Sequence, residues 1–168
     1  MAISLFSFVD MYSRALDTAA HVLSKGAEHA RATGVSEADM LEWRLAEDMF
    51  PLRRQIQTVA SFAMQWPARV AGDDVPEAIS GDQGVAELMA AIAHAKAYLA
   101  TLRPEQFAGR DDKALTIEMG PTPTTHSAGQ WLSGFATTNL YFHLSMVYGI
   151  LRHKGVQLGK RDLFASGL

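Results

Sequence analysis

Four long stretches carry apolar residues at three- and four-residue spacing, separated by joints rich in Gly, Pro and Asp. That pattern predicts an all-α protein built as a four-helix bundle. At 168 residues the chain is expected to form a single helical-bundle domain, residues 1–168. A chain of this size buries about 68–70 % of its unfolded surface and needs no covalent staple. One joint, Arg103 to Ser127, is long enough to hold structure of its own, and it reads as a short β-hairpin between the third and fourth long helices.

The first helix is expected over Ser7 to Thr33, where Val9, Tyr12, Leu16, Ala19, Ala20 and Leu23 share a face and Gly34 supplies the stop. Ser36 with Asp39 resembles a capping box for a short helix through Leu41 and Arg44. The second long helix starts near Asp48, a candidate cap, with Pro51 in the first turn where its missing N–H costs nothing. Leu52, Gln55, Ile56, Val59, Phe62, Ala63 and Trp66 form its inner face, and Pro67 is expected to kink or end it. The third helix follows Asp82 and reaches about Leu102, with Lys96 the one cation on its apolar face. Ala114 to Met119 reads as a strand, and Thr122 to His126 as its return across Gly120 and Pro121. The fourth helix opens on a capping box, Ser127 with Gln130, and stops at Gly155 after Arg152, His153 and Lys154, whose charges suit a helix C-terminus. Its apolar face holds Leu132, Phe135, Phe142, Met146, Val147 and Ile150. Gly159 to Asp162 reads as a charged tail.

Composition removes several function classes. Fifteen basic against eighteen acidic residues give a net charge of −3, which argues against nucleic acid or an anionic membrane as partner. The absence of cysteine rules out disulfides, a thiolate nucleophile and Cys-ligated metal. The first ten residues lack a basic n-region, and the one long apolar stretch, Leu132 to Ile150, reads as a buried helix, so a cytoplasmic location is expected. Neither Gly-x-Ser-x-Gly, a phosphate-cradling loop nor His-Glu-x-x-His occurs.

Candidate site residues are the polar side chains that fall where a bundle core should be apolar. Asn139 and His143, four apart on the last helix, point the same way and can meet one ligand. Gln55 lies on the inner face of the second long helix. The three together can hold a metal or a polar ligand, or can satisfy only one another as a core hydrogen-bond network. For a metal, His143, Asp48 and His21 are the candidate ligands; the amides are poor donors for zinc or nickel.

The segments Arg44 to Gln57, Asn139 to His143 and Ile150 to Asp162 resemble those of a bacterial family of unknown function within the DinB/YfiT-like superfamily. The resemblance covers nearly the full length. It implies a four-helix bundle of the DinB/YfiT type, with a divalent-metal site that typically comprises three histidines. It also implies kinship to thiol-dependent transferases and isomerases. Residue by residue, His143 matches one histidine of the last-helix pair, while Asn139 stands where the other belongs and Gln55 takes the helix-two position. On this reading the cofactor is a weakly held zinc or nickel ion, or none.

Two functions follow as expectations. In the first, Gln55, Asn139 and His143 line a small-molecule pocket in which His143 and Asn139 do the catalytic work. In the second, the trio is structural, and the chain is a binding or homodimerisation module that uses apolar residues such as Phe6, Phe8 and Phe164.

Overall fold

The computed structural model describes residues 4–165 and 167. Its long helices are α1 (Ser7–Thr33), α3 (Leu52–Ala71), α4 (Val85–Thr101) and α6 (Thr137–His153), with the short α2 (Glu37–Leu41) after α1. The last helix is composite: α5 (Ala128–Gln130) and a π-helical stretch (Trp131–Ala136) run without a break into α6. Between α4 and α5, β1 (Ala114–Ile117) pairs antiparallel with β2 (Thr124–Ser127), Ala114 opposite Ser127 and Ile117 opposite Thr124. The architecture is the expected helical bundle with one hairpin. α1 and α3 each pack against α4, against α6 and against each other, around one hydrophobic core.

Local chemistry sets most boundaries. Gly34 and Gly72 take left-handed conformations, φ +73° and +80°, that close α1 and α3. Ser36 Oγ accepts the Asp39 N–H at 3.0 Å. At the last helix Ser127 Oγ accepts from Gln130 N at 3.2 Å, and Gln130 Oε1 accepts from Ser127 N at 3.1 Å. Gly26 lets α1 and α6 approach closely, since a Cβ there would lie 2.7 Å from Leu151 Cδ2. Lys96, the cation on α4, pairs with Asp17 of α1.

Several expectations change. The short helix ends at Leu41, before Arg44. α3 starts at Leu52 with extended Pro51 as its cap, whereas Asp48 is exposed in the preceding turn. The entry is set instead by Leu52 N–H, which donates to the Trp43 carbonyl at 2.8 Å. Pro67 does not end α3: Trp66, Pro67, Ala68, Val70 and Ala71 are all buried, and that packing outweighs the lost hydrogen bond for another turn. Phe142 is 50 % exposed instead of joining the apolar face.

Phe6 and Phe8 are half-buried against the core, Phe6 edge-on to Phe107 at 5.6 Å; of the three phenylalanines expected at an interface only Phe164 is exposed. The charged tail is docked as well. In the 3-10 turn Lys160–Phe164, Asp162 accepts from Gly159 N–H at 2.6 Å, from Lys25 Nζ at 3.0 Å and from His21 Nε2 at 2.7 Å. Among the described residues no helix is long and apolar enough to cross a membrane.

Candidate functional site

The α3–α6 seam brings together two of the three polar residues singled out in the sequence. Gln55, 1 % exposed, donates from Nε2 to the Phe50 carbonyl at 3.1 Å, and its Oε1 lies 2.6 Å from His143 Nδ1. A backbone carbonyl can only accept, so the Gln55 amide must turn its NH2 to Phe50 and its oxygen to the imidazole. The imidazole therefore carries its proton on Nδ1 and donates it to Gln55 Oε1, which leaves the lone pair on Nε2. Nε2 has no protein partner among the described residues.

An aromatic cup surrounds this ring. Phe50 stacks on it with centroids 6.1 Å apart, Phe142 meets it edge-on at 5.2 Å, and Phe62 lies at 6.3 Å. Phe50 and Phe142 are half-exposed, so the cup opens to solvent. The Arg54 guanidinium sits over the Phe50 ring at 5.5 Å. Burial first, and the Arg54 charge second, push the His143 pKa below the ordinary histidine value. Both effects favour the neutral base.

Asn139 shares the His143 face one turn earlier, but its Nδ2 donates to the Phe135 carbonyl at 2.8 Å. That carbonyl belongs to the π-helical stretch, Trp131–Ala136. Thr137 Oγ1 donates to the Leu132 carbonyl at 2.8 Å, and the buried Tyr12 hydroxyl lies 3.2 Å from the same oxygen. Asn139 Oδ1 keeps no protein partner among the described residues.

As a metal site the set does not fit. Gln55 Oε1 is spent on the imidazole N–H, so one imidazole nitrogen and one amide oxygen remain, with no carboxylate or thiolate to supply charge. His21 is committed to Asp162, and Asp48 is exposed. Among the described residues no three His, Cys, Asp or Glu side chains gather where one ion could sit.

The family model for a domain of unknown function, DUF1993, matches residues 6–164. The chain belongs to the DUF1993 family. A crystal structure of a DinB family member protein from Shewanella denitrificans superposes with a TM-score of 0.81 at 30 % identity, covering 93 % of this chain and 88 % of that one. No curated protein matches. This DUF1993 chain is thus a DinB-like bundle, and its seam between α3 and α6 holds the dyad.

Phe50, Arg54 and Phe62 complete the surroundings of His143, yet nothing in their spacing marks them beyond their nearness to Gln55. Four histidines lie outside the dyad and the Asp162 cluster. His94 and His153 are exposed, His126 packs edge-on to Trp131 at 5.1 Å, and His29 Nε2 lies 3.2 Å from the Lys154 carbonyl.

Proposed function

We propose that this chain handles a small molecule, with His143 Nε2 as a general base at the mouth of the aromatic cup. The observation that carries the reading is the run Phe50 carbonyl, Gln55 amide, His143 Nδ1–H, which commits one imidazole nitrogen and leaves the other as a directed lone pair. A base so oriented removes a proton from a substrate placed within about 2.6–3.2 Å. The imidazolium that forms is steadied by a stronger hydrogen bond to Gln55 Oε1. In this reading Asn139 Oδ1, which has no protein partner among the described residues, orients the substrate, and the half-exposed Phe50 and Phe142 rings take its apolar part. In family terms the chain is a divergent relative of thiol-dependent transferases or isomerases in which a single imidazole does the proton work.

A second reading rests on its own observation: the Gln55–His143 bond ties α3 to α6 and satisfies a buried amide, as a structural network would. Paired substitutions separate the two. Asparagine at 143 places an N–H near the position of Nδ1 and deletes Nε2, so His143→Asn is expected to keep the thermal midpoint and abolish binding of small aromatic carboxylates and thiols followed by NMR. Asn139→Leu is expected to weaken that binding, again with the fold retained. The structural reading wins if His143→Ala costs roughly 1–3 kcal/mol, the cost of leaving Gln55 unsatisfied, while every probe still binds to it.

A further inference from the structure

A cleft of about 390 Å3 lies between α1 and α6, away from the imidazole, and is closed on its third side by the C-terminal turn. Its volume falls within the range of small-molecule pockets. Ala15 of α1 and Leu144 of α6 form its apolar floor, and Leu163 and Phe164 form the third wall. That wall is built in: Thr18 Oγ1 donates to the Leu163 carbonyl at 3.0 Å, and Asp162 is anchored by Gly159, His21 and Lys25. The two aromatic side chains at the cleft, Tyr141 and Phe164, are 39 % and 47 % exposed.

The polar groups of the cleft converge on one kind of ligand. Arg14 spends its Nε on Asp10 at 2.9 Å, so both terminal guanidinium nitrogens are free of protein partners among the described residues. Tyr141 and Ser145 add hydroxyls from α6, and neither makes a protein hydrogen bond among the described residues. We infer that this cleft binds an amphipathic carboxylate, its apolar chain laid against Leu144, Leu163 and Phe164 and its anionic head held by Arg14 with the Tyr141 and Ser145 hydroxyls. Burial raises the Tyr141 pKa, so its hydroxyl stays a donor at neutral pH, as a bound carboxylate requires. A guanidinium fork matches a carboxylate better than it matches an alcohol.

The test uses the full chain, titrated calorimetrically with octanoate, decanoate and decanol. Decanoate is expected to bind at least tenfold more tightly than decanol, and octanoate more weakly than decanoate by about fourfold per methylene lost. Arg14→Gln should bring decanoate and decanol to within about twofold of each other, whereas Arg14→Lys should keep most of the preference. Ser145→Trp, which fills the cleft from its exposed wall, should remove binding of both, with circular dichroism confirming that the fold is kept. Methyl NMR should report decanoate at Ala15, Leu144 and Leu163 while the His143 ring signals stay in place, which separates this site from the dyad. Equal binding of acid and alcohol to the wild-type chain, decanoate binding that survives Ser145→Trp, or shifts confined to the His143 ring would each overturn the proposal.

Discussion

The two nitrogens of His143 have different partners, and that difference decides how the residue responds to pH. Nδ1–H is held by Gln55, while burial and the nearby Arg54 oppose a second proton on Nε2. The folded-state pKa therefore lies below the unfolded value of about 6.5. Between the two values the unfolded chain binds more protons than the folded one, so stability falls as the pH drops through that window. A single proton can contribute at most about 1.4 kcal/mol per pH unit, and partial solvation of the ring reduces this. Urea unfolding at pH 7.5 and at pH 5.5 is expected to show a larger loss for wild type than for His143→Asn; equal losses would remove the neutral-base assignment. Gln55 and His143 were legible because a polar residue on an apolar helical face must have a partner. The commitment of Asn139 to Phe135 was not legible, since four-residue spacing places a side chain on a face without saying which carbonyl it will meet. His21 was hidden for a related reason: its partner Asp162 is 141 positions away in sequence.

The helix ends show how far local chemistry alone decides an element. Gly34 and Gly72 both sit at left-handed C-caps, yet a Cβ at Gly34 meets nothing within 4 Å while one at Gly72 lies 2.5 Å from Arg110 Nη2. Arg110 is not free to withdraw, because its Nη1 donates to the Val70 carbonyl at 3.0 Å. Gly34→Ala should therefore cost about 1 kcal/mol, the left-handed penalty alone. Gly72→Ala should cost roughly 1 kcal/mol more as the Arg110 hydrogen bond is displaced. Equal midpoints for the two variants in chemical denaturation would show that Arg110 contributes nothing to the end of α3. Glycine stops and Ser127–Gln130 capping are written in neighbouring residues, so they could be read directly. The course of α3 past Pro67 and the π-helical turns at Trp131–Ala136 depend on what packs beside them, and periodicity cannot report that.

At the scale of the whole bundle, the packing of α3 on α6 puts positions 55 and 143 at hydrogen-bond distance, with position 139 one turn away on the same face. The packing of the helices sets where these three positions stand, Gln55 and His143 in contact and Asn139 bonded to Phe135, and residue identity decides what they can hold. With one imidazole nitrogen and neutral amides, wild type is expected to retain no stoichiometric zinc or nickel after dialysis. The double substitution Gln55→His, Asn139→His would supply two further imidazoles, each able to bond zinc at about 2.0–2.1 Å. It also strips the Phe50 and Phe135 carbonyls of their amide donors, so the metal-free variant should melt below wild type. Zinc that binds only the folded state should restore that loss, by about 2.7 kcal/mol when free zinc is a hundredfold above its dissociation constant. Elemental analysis and the zinc dependence of the melting temperature check both halves of the expectation. One equivalent of metal in dialysed wild type would mean that the donor set extends beyond these residues. A double variant that folds and melts identically with and without zinc would mean that positions 55, 139 and 143 do not converge on a single point.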